Sequence, residues 1–75
     1  MKIEQINVGD NLIYTEQYFG EEHKVVVTEK TRCASDRFYL RAKLTDKEDR
    51  LPNNCVGILL LVWEKEDIKQ LKSIN

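Results

Sequence analysis

The chain has 75 residues, 41% of them apolar, and a formal net charge of −1. That balance excludes the low-hydrophobicity, high-charge composition of a disordered segment. The longest apolar run, residues 58–63, falls far short of the ~20 residues a membrane-crossing helix needs. A chain this short supports one small core that buries about 60% of its unfolded surface.

The organising signal along the chain is β. Val8, Gly9 and Asp10 form a turn that enters a first strand over residues 11–16, with Leu12 and Tyr14 on one face. Residues 18–22 read as a loop with Gly20 near its middle. A second strand over 23–31 follows, built on the β-branched run Val25, Val26, Val27 and Thr28, and residues 31–36 are polar and turn-like. Residues 37–44 alternate strictly: Phe38, Leu40, Ala42 and Leu44 on one face, Arg37, Tyr39, Arg41 and Lys43 on the other. This period of two predicts a strand with one side in the core and one side wet. Residues 45–54 form a long charged connection containing Pro52. A fourth strand over 55–63 is apolar on both faces, Val56, Ile58, Leu60 and Val62 alternating with Gly57, Leu59, Leu61 and Trp63. Such a strand needs cover on both sides, from the chain ends or from another molecule. In the tail, Ile68, Leu71 and Ile74 fit either a two-turn helix or a tight turn at 65–68 followed by a short strand over 70–74.

Charge is distributed unevenly along this pattern. Residues 1–23 carry a net −4, residues 24–43 a net +4, residues 44–67 a net −3 and the last eight residues +2. The middle of the chain is basic between acidic flanks, so a local basic face is possible while bulk attraction to nucleic acid or membrane is not expected.

Little in the sequence points to chemistry. Cys33 and Cys55 stand 22 residues apart with no C-x-x-C pair, too few and too distant for a disulfide framework or a zinc motif. Both read as reduced, with Cys55 packing as a small hydrophobe. His23 is the lone histidine, and with Glu21 and Glu22 it reads as part of a solvated, charged loop tip rather than a preorganised acid–base pair. No nucleophile elbow, P-loop or H-E-x-x-H occurs. The expectation is a protein that is not an enzyme, with no catalytic residues, cofactor or metal. Residues 1–5 carry charge where the apolar part of a secretion signal would lie, and the expected setting is a soluble, cytoplasmic single domain over 1–75.

The entry at residues 8–14, the triplet Val25, Val26, Val27, the alternating stretch Phe38 to Leu44, and the run 58–63 with Ile68 after it resemble the SH3-like small barrels, a group that includes Tudor-like and KOW-type modules. The resemblance spans roughly residues 8–74 and is one of pattern, without a family motif. It implies a mostly β fold, a small five-stranded SH3-like barrel with a short C-terminal helical turn. The superfold serves many functions and brings no functional residue with it. A five-stranded OB-type barrel is the nearest rival architecture.

Two functional readings follow. Arg37, Tyr39, Arg41 and Lys43 place an aromatic among three cations on the wet face of the third strand, a candidate nucleic-acid face. Lys24, Lys30 and Arg32 extend it if the second strand pairs antiparallel with the third. The main expectation is instead a protein-binding module or accessory subunit whose patch comprises Tyr18, Phe19, Leu59, Leu61 and Trp63, with Trp63 as the natural anchor. Self-association and docking as a small inhibitor of a larger protein belong to the same class. Against the patch stands a curling sheet that would take both faces of the fourth strand inside.

Overall fold

A computed structural model describes residues 1–45 and 57–74. Five antiparallel strands form one sheet: β1 (Asn11–Thr15), β2 (Glu22–Ala34), β3 (Arg37–Leu44), β4 (Gly57–Trp63) and β5 (Leu71–Ser73), in the order β4-β3-β2-β1-β5. The mostly β, five-stranded expectation is met. The sheet is not closed into a barrel: β4 and β5 stand at its two edges, and no pairing joins them among the described residues. β5 is three residues long against the seven of β4.

The expected C-terminal helical turn is also corrected. Among the described residues the helical turn is a short 3-10 helix at the other end, Ile3–Gln5. The tail takes the second of its two readings, turns followed by the short strand β5 against β1. The connection predicted over 45–54 lies, apart from Thr45, outside the described residues, as do Cys55 and Val56.

The core forms where the period-two patterns face one another. Leu12, Val25, Val27, Leu40, Ala42, Leu44, Val62 and Leu71 project from the strands, with Tyr14, Phe38, Ile58 and Leu60 packed at its margin. Its ends are closed by segments outside the sheet. Ile6 and Ile68 are both 0% exposed and Ile3 is nearly so. The N-terminal segment is pinned to the tail by hydrogen bonds: the Ile68 N–H donates to Met1 O at 2.7 Å, the Met1 ammonium to Asp67 Oδ1 at 2.6 Å, and Lys2 Nζ to Lys65 O at 2.9 Å. Ile3, Ile6 and Ile68 join the same core cluster as Val62 of β4, while Leu59, Leu61 and Trp63 on the outer face of β4 remain exposed.

Two loops are fixed by backbone needs. Gly9 has φ of 95° in the predicted turn, a region closed to most side chains, and its N–H donates to Val27 O at 2.8 Å. In the β1–β2 loop the Glu16 carboxylate accepts the N–H groups of Tyr18 and Phe19 at 2.8 and 2.6 Å. Gly20, at φ 68°, returns its N–H to Glu16 O.

β2 is longer than its sequence suggests, because its polar second half, Thr31 to Ala34, still pairs with β3 and leaves only Ser35 and Asp36 for the turn. It is also irregular, with register shifts between Val27 and Glu29 and between Arg32 and Ala34. At the first shift Thr28 is the extra residue, its hydroxyl donating to Arg41 O at 3.2 Å. An extra residue on one strand reverses which face the following side chains take.

Candidate functional site

The outer face of β3 is built as the alternation predicts. Arg37, Tyr39, Arg41 and Lys43 lie opposite the buried set Leu40, Ala42 and Leu44. The register of its neighbours on β2 differs from the expected one. On the β2 side the bulge at Thr28 re-phases the strand, so Glu29 faces Arg41 and Thr31 faces Tyr39. Lys30 and Arg32 are carried to the core side, opposite Leu40 and Phe38.

There Lys30 Nζ donates to Ile6 O at 2.9 Å, and the Arg32 guanidinium lies 4.5 Å from the Phe38 ring centre and 3.0 Å from Glu64 Oε1. Of the three cations expected to extend the basic row, Lys24 stays on the outer face. The antiparallel pairing is as anticipated. The extension fails because one residue of bulge exchanges two cations for an acid.

Glu29 then ties the row together. It accepts Tyr39 Oη–H at 2.7 Å and the Thr31 hydroxyl at 3.0 Å, and stands 3.4 Å from Arg41 Nε. The Tyr39 hydrogen bond first, the Thr31 bond next and then the Arg41 charge hold its carboxyl below the ordinary glutamate range. The sign for stability follows: a carboxylate with a lowered folded pKa contributes most above its unfolded value and loses that contribution as pH falls through the folded one. Urea midpoints measured from pH 7 to pH 3 are therefore expected to separate the wild type from Glu29→Gln at neutral pH and to converge on the acid side. A constant gap would contradict it.

On the other side of β3 lies β4, in continuous register: Arg37 opposite Trp63, Tyr39 opposite Leu61, Arg41 opposite Leu59 and Lys43 opposite Gly57. Leu59, Leu61 and Trp63 are 53%, 69% and 50% exposed, so the sheet does not take both faces of β4 inside. The Arg37 guanidinium stacks 4.1 Å from the Trp63 ring centre, and Arg41 lies 5.8 Å from that of Tyr39. A shallow, open depression beside Trp63 is lined by Asp36, Glu64 and Lys65.

Tyr18 and Phe19 are also exposed, at the tip of the β1–β2 loop. They do not join the β4 group. The loop lies at the start of β2, whereas Trp63 faces the start of β3, beside the turn that ends β2. The five residues expected to make one patch thus divide into two.

His23 is not in a loop tip. It sits within β2 opposite Tyr14 and is buried, while Glu22 before it bonds Lys72 Nζ at 2.6 Å on the exposed side. Strand neighbours point to opposite faces, so these two do not converge on one atom. Cys33 is free and exposed. Among the described residues no three His, Cys, Asp or Glu side chains are grouped to hold a metal ion, and no helix is long and apolar enough to cross a membrane.

Sequence reasoning placed Glu29 near the basic face as a charge that would repel phosphate, but missed its bonds to Tyr39, Thr31 and Arg41, and missed the Arg37–Trp63 pair. Strand pairing could have suggested the latter, since both residues begin or end an alternating run. Nothing local marks the bulge that places Glu29. Comparison of the chain with protein-family models, curated proteins and solved structures finds no match to any of them.

Proposed function

We propose that this protein is a non-enzymatic protein-binding module whose contact surface is the outer face of β4 with the adjoining row of β3. The observation that carries this reading is the exposure of Leu59, Leu61 and Trp63 side by side on one strand. Contiguous exposed apolar side chains rimmed by polar ones are the usual mark of a binding site. The rim is supplied by Arg37, Tyr39 and Arg41. Trp63 is the natural anchor: the residue is 50% exposed, and Arg37 holds the ring in place by a stacking worth ~0.5–1 kcal/mol at an exposed site.

The basic row gives weaker support to nucleic-acid binding. Glu29 lies within it and engages both the Tyr39 hydroxyl and Arg41, which places a negative charge where phosphate would approach. The partner reading also covers docking as an inhibitor of a larger protein.

The test is affinity capture from source cells with the wild type and Trp63→Ala. The substitution is expected to leave the circular dichroism spectrum and unfolding midpoint nearly unchanged and to remove at least one specifically captured protein species. An unaltered captured set would reject the reading. Retardation of an oligonucleotide at ~50 mM salt, lost in Arg37→Glu/Arg41→Glu, would replace it with the nucleic-acid one.

A further inference from the structure

The two edges of the sheet are treated differently. At β5 the edge is three residues long and includes Lys72, the kind of short, charged edge that resists pairing with other chains. At β4 the edge is seven residues long, Gly-Ile-Leu-Leu-Leu-Val-Trp, with no charge, no proline and no register shift. Its sequence carries none of the usual guards, and among the described residues no strand pairs with its far side.

The hydrogen-bonding groups on that side can be assigned. The Glu64 N–H donates to Asp36 O at 2.7 Å, whereas the Trp63 N–H donates to Glu66 Oε1 and Trp63 O accepts from the Glu66 N–H. Antiparallel ladders alternate bonded and non-bonded residues. Val62, Leu60 and Ile58 therefore bond across to Phe38, Leu40 and Ala42, and the N–H and C=O groups of Leu61, Leu59 and Gly57 point off the sheet.

We propose that β4 pairs antiparallel with β4 of a second copy of this chain about a two-fold axis midway between the two Leu60 residues, joining two sheets into one. This rests on the protein-binding reading and names its partner. In that register Leu59 of each copy bonds Leu61 of the other, giving four ladder hydrogen bonds and bringing the exposed leucines together in two cross-strand pairs. Trp63 falls opposite Gly57, which has no side chain to obstruct the indole, and the Glu66 bonds to Trp63 end the ladder there. Gly57 is fixed by its own chain as well, since a Cβ there would lie 3.0 Å from Ala42 O.

A second copy is the occupant because the strand fits itself. It offers no charge for an acidic or basic segment to match, and isologous two-fold contacts are the commonest in homo-oligomers. The cations of β3 do not oppose the pairing: the two β3 strands stand three strand spacings apart, ~14 Å, beyond the ~8 Å Debye length at physiological ionic strength. Pairing through one strand is a small interface, so the dimer is a weak, concentration-dependent one.

The test is sedimentation of the full chain from about 5 to 500 µM, with amide exchange followed by NMR at both ends of that range. The wild type is expected to shift from monomer to dimer, and exchange at Leu59 and Leu61 to slow as it does so. Leu59→Pro removes an N–H that the β3–β4 ladder does not use and is tolerated on an edge. It is expected to raise the dissociation constant at least about tenfold with an unchanged circular dichroism spectrum. Leu61→Lys, at an exposed position, gives the same readout should the proline variant fail to fold. Tyr18→Ser, on the separate loop, is expected to dimerise like the wild type.

A wild type that stays monomeric at 500 µM would overturn self-pairing while Trp63-dependent capture is judged on its own. A dimer that survives both edge variants, or amides at Leu59 and Leu61 whose exchange ignores concentration, would overturn it as well.

Discussion

Ile6→Ala is expected to cost ~2–5 kcal/mol of folding stability, the range for truncating a large buried aliphatic side chain. Ile6 is 0% exposed and sits just after the 3-10 helix, away from the sheet, closing the core that the strands leave open. Its carbonyl also accepts from Lys30 Nζ, and its N–H donates to Ile3 O, so the backbone around the side chain is held in place and cannot readily collapse into the space left behind. A single core in a domain of this size rarely supplies more than about 3–5 kcal/mol. One substitution should therefore remove most of the margin and leave a large unfolded fraction at 25 °C without denaturant. Urea unfolding followed by Trp63 fluorescence checks this. A midpoint within experimental error of the wild type would mean that the N-terminal segment is not part of the core.

The second large effect distinguishes the two sides of the sheet. Leu40, in β3, is 3% exposed and lies opposite Leu60, whereas Leu61, one residue further along β4, is 69% exposed and lies opposite Tyr39. Leu40→Ala is expected to cost ~2–5 kcal/mol, and Leu61→Ala to stay within ~0.5 kcal/mol. The same chemical deletion on adjoining strands thus gives a severalfold difference. Both are to be measured in dilute solution, where association of copies does not contribute to stability. Equal losses would show that the outer face of β4 is covered in the folded monomer, and the binding surface proposed above would lose its basis.

How much of this was legible beforehand varies by element. β3 was read almost residue for residue, since strict alternation of Phe38, Leu40, Ala42 and Leu44 with the cations Arg37, Arg41 and Lys43 and with Tyr39 has one stable arrangement: the apolar row inside. The valines of β2 were equally clear, but its polar second half was taken for a turn. Arg32 and Ala34, beyond the predicted end at Thr31, belong to the strand because they pair with Phe38 and Arg37, and pairing leaves no trace in either segment alone. His23 was misplaced for a similar reason. Its charged neighbours suggest a loop, yet the ladder with β1 begins at Glu22 and draws His23 inside.

The candidate site was half readable. The basic row of β3 and the apolar row of β4 each follow from period two. Their adjacency, and the stacking of Arg37 on Trp63, needed the register of β3 on β4. The loop aromatics Tyr18 and Phe19 were grouped with β4 on hydrophobicity alone, and the topology places them elsewhere.

By itself the sequence determined that the protein is mostly β, where most of its strands run, and which face of β3 is dry, because side-chain alternation is local and costs nothing to read. The tertiary structure decided the rest. A one-residue bulge at Thr28 turned Lys30 and Arg32 toward the core side and brought Glu29 into the cationic row. Strand packing drew Val62 of β4 into the core and left Leu59, Leu61 and Trp63 in solvent. Both outcomes depend on how distant segments register and pack, and the energy that selects them arises only once those segments meet.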